Sequence, residues 1–188
     1  MPHQVDNKKR IALVIKAYPV ALILISLALN LAVFGIATTS IALPSHEILV
    51  SLVIAGLMLV LNHTWLMTST ELTRLKFNIR ATPEEWNTSG FTREDVTQDG
   101  FAELERHHNA HRNATENTTL FVLLAFVFSL VSPSAMAAGF WLIGFALGRL
   151  GHTFSFLTGR SGARGLFMSL SLLSLYGMAG YLAISLLI

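Results

Sequence analysis

The stretch ERHHNAHRNATENTTLFVLLAFVFSLV, residues 105–131, decides the fold class because crowded polar residues run straight into an apolar helix. Its second half, from Leu120 to Val131, carries no charged residue and no turn signal. A helix that crosses the hydrocarbon core of a bilayer needs about 20 mostly apolar residues. The stretch therefore predicts a membrane helix whose entrance holds an unusual concentration of charge and histidine.

The composition of the whole chain also indicates a membrane protein. Only 13% of the 188 residues are charged and 53% are hydrophobic, whereas a soluble domain carries about 25% charged residues. The formal charge of +2 and the scattered basic residues argue against a phosphate-tracking surface, so we expect no nucleic-acid partner. Because the chain has no cysteine, disulfides and cysteine-based metal sites or nucleophiles are excluded.

Five apolar segments are predicted to span the membrane, because each has about the length that a span requires. The first is too long for the apolar region of a signal peptide and lacks an early cleavage pattern, so we expect it to be retained. Pro133 and the GRSGAR stretch, residues 159–164, separate the last three segments. In chain order the segments are Ile11–Thr38, Ile48–Thr70, Arg106–Val131, Ala135–Leu157 and Gly165–Ile188.

The chain divides into an N-terminal extension, residues 1–44, and a four-helix domain, residues 45–188, that contains a large polar loop at 71–105. In this loop Thr82, which precedes a proline, and Thr92 predict the starts of two short helices. Lysine and arginine flank alternate ends of the segments. The positive-inside rule therefore places the N-terminus and the large loop in the cytoplasm and the C-terminus outside. We expect a multi-pass protein of a bacterial inner membrane.

Polar residues at the start of the third segment share one helix face. With spacings i, i+3, i+7 and i+10, they are Arg106, Asn109, Asn113 and Glu116. A carboxylate near the membrane needs a partner, and Arg149 in the fourth segment is available, with His152 one turn later. We predict an Arg149–Glu116 ion pair, which either locks two helices together or belongs to a functional site.

Polar and small residues in two other segments are interpreted as helix contacts. In the second segment, Asn62 and His63 are predicted to form hydrogen bonds between helices. In the last segment the small residues that we expect at helix interfaces are Ser169, Ser171, Ser174, Gly177 and Gly180.

Four motifs together resemble the MAPEG family, membrane-associated proteins in eicosanoid and glutathione metabolism. The first is E-R-x-x-x-A-H-x-N-x-x-E-N, from Glu105 to Asn117. The others are RLKFNIRATPEEW from Arg74, GRLGHTFSFLTG from Gly148 and ARGLF from Ala163. The chain is most similar to the branch of microsomal glutathione transferase and microsomal prostaglandin E synthase. Because the resemblance begins near residue 49, the first segment is expected to be an additional N-terminal span ahead of the family's four-helix core.

The resemblance implies an all-α homotrimer embedded in membrane lipids, with glutathione in a cleft between subunits and a lipophilic small-molecule substrate entering from the bilayer. The implied activity is that of a glutathione-dependent transferase or peroxidase acting on lipophilic electrophiles or lipid hydroperoxides. Arginine suits the carboxylates of glutathione, and nearby cations lower the pKa of a thiol. The implied glutathione-binding residues are Arg74, Asn113, Glu116, Arg149 and His152. The implied catalytic residues are Arg164, which would stabilise the thiolate, and Glu85.

Three positions depart from the family pattern. Asn109 replaces an arginine, Phe156 replaces a tyrosine, and Gly165 stands where relatives carry serine or alanine. These departures leave open a non-catalytic member that binds lipid-like ligands. A membrane di-iron enzyme is a further alternative, since HHNAH at residues 107–111 spaces histidines like part of a histidine box, although no second box follows.

Overall fold

Helices and the loops between them account for the whole described chain. The structure is a computed structural model that describes the backbone of residues 2–188 and the side chains from Lys8 onward. Met1 and the side chains of residues 2–7, all in the predicted N-terminal extension, lie outside the described part. The α-helices are α1 (Pro2–Leu29), α2 (His46–Lys76), α3 (Pro83–Ser89), α4 (Gln98–Leu130), α5 (Ala135–Ala138), α6 (Gly144–Leu157) and α7 (Ser161–Ser185). Two π-helical turns, Asn30–Phe34 and Gly139–Ile143, continue α1 and join α5 to α6.

Four of these helices are long and apolar enough to cross a membrane, namely α1 with its π turn, α2, α4 and α7. The predicted fourth segment is also helical throughout, but the π turn at Gly139–Ile143 divides it into short α-helical pieces. All five predicted segments are therefore helical, and four of them qualify as spans by length and composition.

Successive long helices run in opposite directions. At one end of the bundle the Thr39 N–H donates to the Ser185 carbonyl at 3.0 Å, and the Ala42 N–H donates to the Leu130 carbonyl at 3.0 Å. These bonds bring the α1–α2 connection beside the C-terminal ends of α4 and α7. The connection between α2 and α4 and the short turn before α7 consequently lie at the opposite end, which is the arrangement that the alternating basic residues require.

The helix boundaries differ from the predicted ones at the large loop. α4 begins at Gln98 rather than near Arg106, because Thr97 caps the helix by accepting the Gly100 N–H at 3.1 Å. Since α2 extends to Lys76, the connection shortens to residues 77–97. The crowded polar stretch is thus part of the regular first half of a long helix and not the end of the loop.

The two predicted helix starts within the connection are confirmed. Thr82 caps α3 by accepting the Glu85 N–H at 3.3 Å. Thr92 begins a 3₁₀ turn, Arg93–Asp95, in a capping box with Asp95. The Thr92 N–H and hydroxyl both donate to the Asp95 carboxylate, and these bonds hold the pKa of that carboxyl below its ordinary value.

The N-terminal helix packs on the bundle of its own chain. Asn30 is fully buried; its amide donates to the Gly177 carbonyl at 2.8 Å and accepts from the Trp141 indole at 2.9 Å. Nearer the other end, the hydroxyls of Tyr18 and Ser169 are 2.8 Å apart. The polar atoms of Asn30 are satisfied at a depth where an unpaired amide would be costly. α1 therefore lies along the outer side of α7.

Small residues bring α6 and α7 together, as the sequence predicted. A Cβ built at Gly148 would lie 2.8 Å from the Ser171 backbone nitrogen and 3.0 Å from the Phe167 carbonyl oxygen, so only glycine fits. Ser171, Ser174 and Gly177 are buried on the facing side of α7. This close approach fixes the position of the residue that follows Gly148, which is Arg149.

Candidate functional site

Arg149 is the centre of a polar cluster between α4, α6 and α7. Its side chain has 0% exposure. One guanidinium nitrogen donates to the Asn113 Oδ1 at 2.7 Å and lies 3.4 Å from the His152 Nδ1, and the other lies 3.8 Å from the Met168 sulfur. The Nε has no hydrogen-bond partner among the described residues. All three partners are uncharged groups or an imidazole, so within the described chain no carboxylate compensates this buried cation.

The cluster continues from Arg149 to Arg164. His152 is buried one turn after Arg149, and its ring lies 5.6 Å from the Phe156 ring. The Arg164 guanidinium lies over the same Phe156 ring, 5.0 Å from its centre, and the Arg164 side chain is exposed. Four of the seven predicted site residues, Asn113, Arg149, His152 and Arg164, therefore form one connected group that carries two guanidinium charges.

The predicted Arg149–Glu116 ion pair is wrong within the chain. Asn113 faces α6 and receives the hydrogen bond, whereas Glu116 is exposed. Three residues rotate a helix by about 300°, which turns Glu116 some 60° away from the side that Asn113 presents. Residues that share a broad helix face in the sequence thus divide between an inward and an outward side.

Glu116 belongs to an outward-facing groove on α4. The groove has a volume of about 400 Å³ and is lined by His108, His111, Arg112, Thr115 and Glu116. Arg74, at the end of α2, adjoins it: the guanidinium donates to Glu71 at 2.7 Å and lies 3.4 Å from the His108 Nε2. Arg74 and Glu116, two further predicted residues, therefore lie on a different side of α4 from the Arg149 cluster.

Glu85 has a local structural role in the connection between α2 and α4. Its side chain is exposed, and its carboxylate accepts the Ala81 N–H at 2.9 Å while its own N–H donates to Thr82. The structure does not bring it to the Arg149 cluster. Its assignment as a catalytic residue stays a prediction.

His107 is a structural residue that the motif analysis did not assign. It is buried between α2 and α4, with its two ring nitrogens 3.1 Å from the Thr73 hydroxyl and 3.2 Å from the Ser69 hydroxyl. The signal in the sequence was the pair of hydroxyl residues one turn apart on α2. His107 therefore holds α4 against α2 at the level of the polar stretch.

The three histidines of HHNAH contact different residues of α2. His107 contacts α2 hydroxyls, His108 approaches Arg74, and the His111 ring lies 5.4 Å from the His63 ring. Among the described residues no group of three or more histidine, cysteine, aspartate or glutamate side chains is placed to hold a metal. The geometry thus gives no support to a di-iron histidine box.

The fold and the site together define the class of this protein: an all-helical membrane protein with a cationic cluster between α4, α6 and α7. The model of the MAPEG family matches residues 52–184, which is well over half of the chain. The protein belongs to the MAPEG family, whose members include glutathione-dependent transferases and related membrane proteins. The match begins within α2, so α1 and its π turn lie ahead of the matched region. No curated protein matches the sequence.

Proposed function

We propose that the protein is a glutathione-dependent membrane transferase or peroxidase that acts on lipophilic electrophiles or lipid hydroperoxides. Bound glutathione supplies a thiol that becomes a nucleophile or a two-electron reductant. The residues of the Arg149 cluster hold the peptide and stabilise its thiolate. Asn113, Arg149 and His152 contribute to binding, and Arg164 carries the catalytic charge.

The observation that carries this proposal is the buried guanidinium of Arg149 without a carboxylate partner. Burial of an unpaired charge costs several kcal/mol, so a cation in this position needs an anion. Glutathione has two carboxylates, and a guanidinium is the side chain best suited to bind one. The Nε of Arg149 also has no hydrogen-bond partner among the described residues, so the guanidinium keeps an unused donor.

Arg164 is the residue that fits the role of thiolate stabiliser. It is exposed, so that a ligand can reach it, and its position over Phe156 fixes it beside His152. A cation near a thiol favours the thiolate, and each unit by which the pKa of that thiol falls corresponds to about 1.4 kcal/mol. Because Phe156 and Gly165 supply no hydroxyl, Arg164 has more of this stabilisation to provide than an arginine with a neighbouring tyrosine or serine.

A homotrimer with its binding clefts between subunits belongs to the proposal. The predicted glutathione-binding residues divide between the Arg149 cluster and the outward side that holds Arg74 and Glu116. These two groups do not meet in one chain. They become a single site if Arg74 and Glu116 of one subunit face the Arg149 cluster of a neighbouring subunit. The distribution of basic residues supports a cleft at the cytoplasmic end of the bundle. The membrane that we propose is a bacterial inner membrane.

A non-catalytic lipid-binding protein is the second possibility, and one observation favours it. The ring of Phe156 occupies one face of the Arg164 guanidinium at 5.0 Å, where a tyrosine would offer a hydroxyl to a thiolate. In such a protein the cationic cluster would bind an anionic ligand without turnover.

A glutathione titration of the detergent-purified protein, followed by turnover with a generic chloronitrobenzene electrophile, tests the proposal. We expect saturable binding, a thiolate absorbance of the bound peptide at neutral pH, and turnover. In Arg164→Ala we expect the thiolate absorbance to vanish and turnover to fall about 10- to 100-fold, equivalent to a rise of one to two units in the pKa of the thiol, with binding changed only a few-fold.

Arg160→Ala is the matched control. Arg160 precedes Arg164 by one turn and also lies over a phenylalanine, 5.1 Å from the Phe154 ring. If it behaves like Arg164→Ala, the effect is one of general charge. If Arg164→Ala loses binding while turnover per bound glutathione is preserved, Arg164 clamps a carboxylate instead. Absence of both the thiolate signal and turnover in the parent protein would favour the lipid-binding alternative.

A further inference from the structure

The first half of α1 is a basic segment that the rest of the described chain leaves exposed. Every residue from Lys8 to Tyr18 is exposed, including the apolar Leu13 at 70%. The helix docks on α7 further along: the Tyr18 hydroxyl lies 2.8 Å from that of Ser169, and Leu22 is buried. The surroundings of this first half are therefore supplied from outside the chain.

Positive charge is concentrated in this segment. Asp6 is the single acidic residue of α1, and the next carboxylate along the chain is Glu47, at the start of α2 and so at the other end of the bundle. Among the described side chains, no ion pair involves Lys9 or Lys16. The basic residues of the segment are Lys8, Lys9, Arg10 and Lys16.

Two of these lysines share one exposed face of α1 with apolar residues. Lys9, Leu13, Lys16 and Val20 follow the spacing i, i+4, i+7 and i+11, which places them in one stripe along the helix. Leu13 is 70% and Val20 is 54% exposed, and both lysines are exposed. The buried Leu22 lies roughly 150° round the helix from this stripe. The stripe therefore faces away from the bundle.

Lys16 is placed to reach the membrane surface from within the apolar segment. It lies about 10 Å beyond Lys9 along the helix axis. Because the Cα–Cβ bonds of a helix tilt toward its N-terminus, the Lys16 side chain leans back toward Lys9. A lysine stem covers apolar surface while its ammonium stays at the polar boundary, and Val20, one turn deeper, remains among acyl chains. We therefore expect both ammonium groups in one headgroup layer.

The stripe lies away from the cleft of the proposed trimer. That cleft uses the outward side of α4 and the Arg149 cluster, which borders α7 at Met168 and Arg164. α1 docks on α7 at Ser169, about 140° round the helix from Arg164. A subunit seated in the cleft consequently does not account for the cover of the stripe.

We propose that this stripe binds an anionic phospholipid, whose phosphate is held by Lys9 and Lys16 and whose acyl chains lie along Val20 and Leu24. Leu24 continues the apolar side of the stripe and is 61% exposed. Charge complementarity selects the lipid, because two ammonium groups attract a net negative headgroup, whereas a zwitterionic headgroup brings a cation of its own. Since the site holds residues of α1 alone, binding needs neither glutathione nor the Arg149 cluster.

Site-directed quenching in nanodiscs without glutathione tests this assignment. Because the chain has no cysteine, Leu13→Cys introduces a single thiol for a bimane fluorophore between the two lysines. The nanodiscs contain phosphatidylcholine with a minority of phosphatidylglycerol, and the same amount of either lipid is replaced by its brominated form, which quenches on contact. We expect brominated phosphatidylglycerol to quench at least about threefold more than brominated phosphatidylcholine, and added salt to reduce the difference.

Paired variants identify the residues responsible. Lys9→Gln combined with Lys16→Gln should abolish the preference for phosphatidylglycerol, and the protein should fold because both side chains are exposed. Replacement of the same two lysines by arginine keeps the charge and should preserve the preference. Lys76→Gln combined with Arg93→Gln removes two exposed charges elsewhere and should leave the preference at Leu13→Cys unchanged.

A second label position is the control for the lipids themselves. Val53 is 59% exposed on α2, and no lysine or arginine lies within two turns on either side of it. A bimane on Val53→Cys should be quenched equally by the two brominated lipids.

The outcomes separate this inference from the proposed function. Equal quenching by the two lipids at Leu13→Cys would overturn the proposal, and so would a preference that survives loss of both lysines. A preference that also disappears in the Lys76 and Arg93 variant would reduce the effect to general charge and refute the site. Quenching by neither lipid would show that another protein segment covers the stripe, which excludes a lipid site. Because glutathione is absent throughout, failure of the glutathione experiments leaves this result unaffected.

Discussion

Replacement of Asn113 by leucine should destabilise the protein through Arg149. The substitution removes the 2.7 Å hydrogen bond to a guanidinium that has 0% exposure and no carboxylate partner. A hydrogen bond to a charged group contributes about 1.5–3 kcal/mol, and removal of one partner of a fully buried ion pair costs about 3–5 kcal/mol. His152 and Met168 remain near the guanidinium, so we expect the lower range, a loss of about 1.5–3 kcal/mol in the free energy of unfolding.

A double-mutant cycle isolates this interaction from the general effect of the substitution. Arg149→Met removes the buried charge and leaves the Asn113 amide only partly buried, where water can satisfy it. Once the charge is absent, Asn113→Leu should cost little, and the cycle should give a coupling of about 1.5–3 kcal/mol. The Asn113 backbone carbonyl accepts from the Asn117 amide, and a change of side chain leaves that bond in place.

The measurement is reversible unfolding in mixed micelles, followed by helical circular dichroism for the four proteins of the cycle. A parallel cycle of Glu47→Gln and Arg149→Met is the control, because Glu47 is exposed at the start of α2, and we expect a coupling below about 0.5 kcal/mol. If the Asn113 cycle gave a coupling no larger than this control, the Asn113 side chain would not stabilise the buried charge and the reasoning would be refuted.

Three further predictions concern packing and topology. Gly148→Ala should destabilise the protein by about 1–3 kcal/mol, because its Cβ would meet the α7 backbone, whereas Gly56→Ala on open α2 surface should be neutral or stabilising in the same unfolding assay. Asn30→Leu leaves the Trp141 indole unpaired and removes the bond to the Gly177 carbonyl, so limited proteolysis should release α1 sooner than in the parent protein, and an unchanged cleavage rate would contradict its docking role. Reporter fusions should report outside, inside, outside and inside in turn, and a cytoplasmic first fusion would exclude α1 as a span. The four fusion positions are Ser45, Asn87, Ser134 and Ser161.

The helices were predictable from the sequence because apolar length is a property of continuous stretches. The capping residues Thr82 and Thr92 were predictable for a similar reason, since their partners lie three residues away. The start of α4 at Gln98 was missed because the predicted segment followed apolar length, whereas the first turns of the helix are polar. The π turn at Gly139–Ile143 was also missed, because no short-range pattern in the sequence marks it.

The partners of the site residues were less predictable, since they depend on which side of a helix meets another element. Helical spacing grouped Asn113 with Glu116, but the close contact between α6 and α7 positions Arg149 against Asn113 alone. The partner of Asn62 was equally hidden: its buried Oδ1 has no hydrogen-bond partner in the described chain, and the sequence shows that an amide is present and not whether a donor reaches it.

The depth of Glu116 explains why its outward position matters. The His63–His111 contact sets the register of α2 and α4, and Glu116 lies five residues beyond His111, about 7.5 Å closer to the centre of the apolar segments. At that level, five residues before His63, the exposed side of α2 is Leu57 and its apolar neighbours, which suit lipid. A carboxylate is expensive against lipid tails, and Arg112, one turn nearer the N-terminal end of α4 on the same groove, is a charge of the opposite sign rather than a bonded partner. An outward charge at this depth needs a neighbouring subunit or a polar ligand to cover it, and this requirement supports a cleft between subunits as the place where the charged stretch of α4 acts.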